Sequence, residues 1–189
     1  MENFIYSVKS AISPELCKTL IKQIANLPEG KGYVETAEGK RSDLVTSTDL
    51  TLSRKWKDEP GWDTIITPLF NAIEKNKDLY LQKYLGTKAI ADLEITPFCV
   101  LVRYKPGQGF ANYHCERGAP KNKNRVLSWI MYLNDVTDGG GTQFYYQRKI
   151  EQAEEGKLIM WPAEWTHLHR GVVSNSETKY IVTGWIEFK

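Results

Sequence analysis

Leu16, Leu20, Ile21 and Ile24 recur at helical spacing just after Ser13-Pro14-Glu15. That spacing puts them on one helical face, with Ser13 as a cap and Pro14 at the first helical position. A second helical region is predicted between Trp62 and Tyr84, where Ile65, Leu69, Phe70, Ile73, Leu79 and Leu81 carry the apolar pattern. Between the two, residues 29–50 are polar and contain Gly30, Gly32 and Gly39, which predicts a long loop or a loosely paired hairpin.

After about residue 92 the period changes. Short β-rich runs follow one another at Leu93–Tyr104, Val126–Leu133, Thr142–Tyr146, Lys157–Trp161 and Lys179–Phe188. Pro106-Gly107, Asp138-Gly139-Gly140-Gly141 and Ser174-Asn175-Ser176 supply turns between them. The runs do not alternate cleanly, since Ile130-Met131 and Ile181-Val182 set apolar residues side by side. Successive strand side chains point to opposite faces, so such pairs indicate a sheet covered on both sides. The expected fold is mainly β with N-terminal helices. A double-stranded β-helix (jelly roll) forms the core at 93–189, with residues 1–92 as helical support. No repeat or linker divides the 189 residues, so a single domain is expected.

Composition narrows the function classes. Apolar and charged fractions of 41% and 25% are ordinary for a soluble globular protein, and a net charge of +2 exerts no strong pull on nucleic acid or membrane. Cys17, Cys99 and Cys115 are odd in number and lack zinc-type spacing, which argues against a disulfide framework or a structural zinc site. No basic-then-apolar leader opens the chain and no apolar run approaches membrane-spanning length, so a cytoplasmic protein is expected.

The chemistry concentrates on the three histidines, which fall in Tyr113-His114-Cys115-Glu116 and Trp165-Thr166-His167-Leu168-His169-Arg170-Gly171. On a strand, His114 and Glu116 would point to one side while Cys115 faces away. A distant histidine then completes two imidazoles and one carboxylate, the set with which non-haem Fe(II) oxygenases hold iron and keep positions open. Alone, a His-x-Glu pair is equally well explained as a surface pair. The histidine cluster downstream, in a β-rich setting, turns it toward metal. Spacing does not choose between His167 and His169. Lys179 adds a second signal: it opens the run Tyr180-Ile181-Val182-Thr183-Gly184-Trp185, and a buried ammonium is unfavourable unless an anion meets it.

Taken in order, these segments resemble the Fe(II)/2-oxoglutarate dioxygenases of the prolyl 4-hydroxylase type, a group with collagen-type, oxygen-sensing, microbial and phage-borne members. The likeness is carried by Arg103-Tyr104-Lys105-Pro106-Gly107-Gln108-Gly109, His114-Cys115-Glu116 and Tyr132-Leu133-Asn134-Asp135. It continues through Gly139-Gly140-Gly141-Thr142-Gln143-Phe144, Trp161-Pro162, His169-Arg170-Gly171 and Lys179 to Trp185. The resemblance implies that His114, Glu116 and His169 bind Fe(II) and form the catalytic centre. It selects His169 over His167, because the distal ligand of the group stands ten residues before its basic residue, here Lys179.

It further implies that Lys179 pairs with the far carboxylate of 2-oxoglutarate and that Tyr104 and Tyr132 offer it hydroxyls. Thr183 and Trp185 would wall the pocket, and Arg125 would stand near the substrate mouth. The implied reaction consumes O2, converts 2-oxoglutarate to succinate and CO2, and hydroxylates a C–H bond, with ascorbate as an accessory. The chain departs from the pattern at Glu116, where most of the group has Asp. A carboxylate there argues against the halogenating branch, which lacks it.

The implied substrate is a prolyl residue of a protein or peptide. Hydroxylation of a free amino acid or other small molecule is the second enzyme alternative, since only outer loops would differ. Nucleic-acid demethylation fits less well, because those relatives carry an arginine pair on the last strand where this chain has Lys179 and Trp185. From a different class, a non-catalytic jelly-roll binding module rests on Glu116 alone. Outside the site, residues 31–52 fit a lid or a plain solvent loop equally. Lys121-Asn122-Lys123-Asn124-Arg125 reads as a solvated turn, and Trp56 and Trp62 as core.

Overall fold

Strand pairing dominates the computed structural model, which describes residues 2–28, 34–36, 39–41 and 47–189. Seven strands form one antiparallel sheet: β1 (Tyr6–Val8), β4 (Thr48–Ser53), β5 (Leu93–Ile95), β6 (Phe98–Tyr104), β7 (Arg125–Tyr132), β10 (Leu158–Pro162) and β12 (Lys179–Phe188). Their order is β1-β10-β7-β12-β6-β4, and β5 pairs the far end of β12. A second sheet joins β8 (Thr142–Phe144), β9 (Lys149–Glu151) and β11 (His169–Gly171) in the order β11-β8-β9. β2 (Val34–Thr36) and β3 (Gly39–Arg41) pair with each other.

The side-by-side apolar pairs have a direct explanation. Leu101, Trp129, Met131, Leu158, Met160 and Val182 point to one core, whereas Val102, Tyr132, Ile159, Trp161 and Ile181 point to another. Two helices cover the first face. In α1 (Pro14–Ala25), Ser13 caps by accepting from the Leu16 N–H, and Leu16, Cys17, Leu20 and Ile24 are buried. In α2 (Asp63–Lys83), Ile65, Ile66, Leu69, Phe70, Ile73 and Tyr80 are buried, while Leu79 stays exposed. The second face meets the smaller sheet through Phe144. Burying each large apolar side chain contributes about 1.5–3 kcal/mol.

Several details differ from the sequence expectation. Leu93–Tyr104 is two strands, broken at Thr96-Pro97, because proline cannot donate to a ladder. The short strands β1, β9 and β11 carry too few residues for a periodic signal, and β4 begins inside the polar stretch read as a loop or loosely paired hairpin. β1 and β4 add to the two ends of the large sheet, so the N-terminal part supplies strands as well as helices. Of the stretch read as a lid or loop (31–52), residues 31–33, 37–38 and 42–46 lie outside the described residues. Trp56 and Trp62 pack together, ring centroids 4.8 Å apart, against the helical core. Cys17, Cys99 and Cys115 are free thiols. No helix among the described residues is long and apolar enough to cross a membrane.

Candidate active site

His114 and His169 meet at an isolated antiparallel bridge. The His114 N–H donates to the His169 carbonyl and the His169 N–H to the His114 carbonyl, each at 3.0 Å. Opposite residues in such a pair carry their side chains on the same face, and the imidazole centroids lie 4.3 Å apart. The expectation that His114 and Glu116 share a strand needs correction. Only His114 finds a ladder partner, and the chain turns at Glu116-Arg117, where the Arg117 N–H bonds the Ala163 carbonyl at 3.0 Å. The turn still brings Glu116 back beside both imidazoles.

Each ring is oriented through Nδ1. That of His114 lies 3.1 Å from the Asn112 carbonyl and that of His169 lies 2.9 Å from the His167 carbonyl. A carbonyl only accepts, so Nδ1 carries a proton in each ring and Nε2 is the nitrogen left to face the site. Both Nε2 atoms face Glu116 Oε1, at 3.4 Å and 3.5 Å. One ligand-type atom from each of the three residues lies within 4.8 Å of the others. Phe110 stacks on the His114 ring at 3.7 Å, and Trp161 meets His169 edge-on at 4.8 Å, which locks both rotamers.

The electrostatics suit a cation. Burial pushes the Glu116 carboxyl up, but hydrogen bonds and charges from His114 and His169 outweigh it and hold the group well below the usual carboxylate range. Burial lowers His169, which favours neutral imidazole. The remaining oxygen, Oε2, accepts from the Trp185 indole N–H at 2.7 Å and from Arg125 Nη1 at 3.2 Å.

A cavity of about 810 Å³ is lined by this cluster together with Tyr104, Tyr132, Ile181, Thr183 and Lys179. Lys179 lies opposite Tyr104 in register, with Nζ 4.8 Å from the tyrosine ring centroid. Burial lowers the ammonium to about 8, and no carboxylate among the described residues pairs with it. Tyr132 shares a 2.6 Å hydrogen bond with Thr142, and the Thr183 hydroxyl donates to the Trp129 carbonyl at 2.9 Å. Both hydroxyls are therefore already engaged by protein. Lys121 and Asn122 of the basic run also line the cavity.

His167 is occupied elsewhere. Its Nε2 lies 3.0 Å from the Asn3 carbonyl and its Nδ1 lies 3.0 Å from the Thr166 hydroxyl. The carbonyl requires Nε2–H, so Nδ1 accepts from Thr166 and no lone pair is left for a metal. Sequence reading missed Phe110 and the double contact of Trp185 and Arg125 with Glu116. No periodicity marks Phe110, which sits in an irregular Gly-rich segment. The other two depend on which strands are neighbours.

A jelly roll that gathers two imidazoles and a carboxylate in the wall of a cavity has the donor set that fits iron. Residues 99–187 match the family model of the 2OG-Fe(II) oxygenase superfamily. The protein is accordingly a 2-oxoglutarate-dependent dioxygenase that uses Fe(II), 2-oxoglutarate and O2.

Solved structures share the fold. The viral collagen prolyl hydroxylase of Paramecium bursaria Chlorella virus-1, in complex with 2OG, is 20% identical, with 99% of this chain and 97% of that one covered at a TM-score of 0.66. The prolyl hydroxylase of Trichoplax adhaerens, in complex with a hypoxia inducible factor peptide fragment, is 18% identical, covering 98% and 84% at 0.72. A Pseudomonas putida prolyl-4-hydroxylase is 15% identical, covering 98% and 92% at 0.66. No curated protein sequence matches the chain.

Proposed function

We propose that this oxygenase hydroxylates a prolyl residue within a protein or peptide, with His114, Glu116 and His169 holding Fe(II) and Lys179 holding the far carboxylate of 2-oxoglutarate. One cavity carries the proposal: its wall holds a His-Glu-His cluster and also a buried ammonium that meets no carboxylate among the described residues. A dicarboxylate matches that polarity, with one end for a metal and the other for a cation. Three neighbours in fold are named prolyl hydroxylases, one of them holding a peptide, which supports the peptide substrate.

The donor set fits iron: two imidazoles whose Nδ1 sides are held by carbonyls, which leaves Nε2 for a metal, and a carboxylate kept ionised. When bound, Fe(II) supplies the O2 chemistry of this class. The chain's own part is binding and orientation. The carbonyls of Asn112 and His167 hold the imidazoles, and Phe110 and Trp161 restrain them. Tyr104 and Ile181 shield Lys179 from water, which strengthens its attraction for an anion. Tyr132 and Thr183 line the same cavity.

The test is to incubate the protein with Fe(II), 2-oxoglutarate and proline-containing peptides, following succinate and the peptide mass. Peptide-dependent succinate with gain of one oxygen atom on proline is expected. Succinate formed only with free amino acids would transfer the assignment to a small-molecule hydroxylase.

A further inference from the structure

Glu116 lies in a turn, yet its carboxylate is fixed at both oxygens. Oε1 faces the imidazoles at 3.4 Å and 3.5 Å, and Oε2 is held by Trp185 Nε1–H at 2.7 Å and Arg125 Nη1 at 3.2 Å. The same Arg125 nitrogen reaches the Glu116 backbone carbonyl at 3.2 Å, so it ties the side chain to its own main chain. The guanidinium lies 3.6 Å over the Trp185 ring, and Arg125 Nε is 3.8 Å from Glu187 Oε1.

These donors stand on the rigid part of the molecule. Arg125 opens β7, Trp185 and Glu187 are on β12, and the two strands are hydrogen-bonded neighbours. Their register slips between Ile186 and Glu187, which sets Glu187 opposite Arg125. Such irregularities re-aim side chains.

We propose that Trp185 and Arg125 are positioning residues that clamp the Glu116 carboxylate, taking Oε2 and leaving Oε1 as the oxygen offered to the metal. This rests on the reading of His114, Glu116 and His169 as the Fe(II) site. The clamp replaces the freedom of a carboxylate in a turn with the fixity of a paired sheet. Outer-sphere donors of this kind govern metal affinity by orienting the ligand. Trp185 and Arg125 also line the cavity, so only a change that keeps the ring in place separates the ligand from the wall.

The experiment is an anaerobic Fe(II) titration of apo-protein, with Co(II) absorption as a second probe. It compares wild type, Trp185→Phe, Arg125→Met, Glu116→Asp and the Glu116→Asp/Trp185→Phe pair, each checked for folding by circular dichroism. Trp185→Phe keeps the aromatic wall and removes the N–H. It is expected to weaken Fe(II) binding about 10- to 100-fold, as losses of outer-sphere partners do. With Glu116→Asp the shorter side chain no longer reaches the indole, so adding Trp185→Phe is expected to alter affinity less than about threefold. Trp185→Phe and Arg125→Met both binding Fe(II) as wild type does would overturn the clamp and leave the two residues as wall alone. Equal losses from Trp185→Phe with and without Glu116→Asp would overturn it as well, since a general structural effect is not coupled to Glu116. Wild-type protein that bound no Fe(II) would overturn the metal reading itself, a result distinct from unchanged variants.

Discussion

His169 donates a hydrogen bond from Nδ1–H to the carbonyl of His167, two residues before it, at 2.9 Å. One histidine therefore aims the other: the backbone of His167 sets the His169 ring, while the His167 ring is spent on Asn3 and Thr166.

The two histidines are expected to separate in a mutational test. His169→Ala should reduce Fe(II) affinity by more than the roughly 10- to 100-fold that outer-sphere losses cause. His167→Ala keeps the carbonyl and should bind Fe(II) normally, with a stability loss of about 1–3 kcal/mol from the unmade buried hydrogen bonds. Fe(II) titration and thermal melting of both variants check this. Loss of iron from His167→Ala with retention in His169→Ala would reverse the assignment.

Lys179 gives a pH signature. Burial lowers it from 10.5 to about 8, and only the ammonium attracts a carboxylate. Affinity for 2-oxoglutarate is expected to be level below about pH 8 and to fall above it, approaching ~10-fold per pH unit. Lys179→Arg keeps its charge throughout and should abolish that dependence, whatever its absolute affinity. The ligand-free protein behaves oppositely. Between about 8 and 10.5 the unfolded chain binds more protons at this residue, so the contribution of Lys179 to stability rises with pH across that window. Calorimetric titration with 2-oxoglutarate over the range, and denaturant melts without it, measure the two trends.

Gly184 is required by its neighbour. A Cβ at this position would stand 2.6 Å from the Trp129 ring, and Trp129 is fully buried. Gly184→Ala is expected to destabilise the fold by about 1–3 kcal/mol through overpacking. A denaturant midpoint unchanged from wild type would show that the ring can move aside.

Arg103 joins the helical layer to the sheet. Its guanidinium donates to the carbonyls of Ile24 and Leu27, at 3.1 Å and 2.9 Å, and to the Thr48 hydroxyl at 3.0 Å. Ile24 is in the last turn of α1 and Leu27 lies just past its end, where few helical donors remain; the Ile24 carbonyl also accepts from the Leu27 N–H at 3.2 Å. Arg103→Met fills much of the volume but removes these donors, and a loss of about 1–3 kcal/mol is expected in equilibrium unfolding.

Local rules went far with this chain. Ser13-Pro14 and the spacing of Leu16, Leu20 and Ile24 suffice for α1, because a helix is stabilised by near neighbours. The pairs Ile130-Met131 and Ile181-Val182 announce a sheet with two covered faces, and each pair does divide between two cores or their edges. Residue types also announced a place where metal-ligating chemistry gathers, in a chain with three histidines.

Tertiary structure decided the rest. Whether His167 or His169 faces Glu116 turns on hydrogen bonds to Asn3 and His114, one of them to a residue at the opposite end of the chain. The same holds for Trp185 and Arg125, whose contact with Glu116 exists only because β7 and β12 are neighbours. Sequence determines which side chains are available and which face of an element they take, since those follow from fixed backbone periods. Which donor meets which acceptor across dozens of residues is set by strand pairing and packing, and no local pattern encodes it.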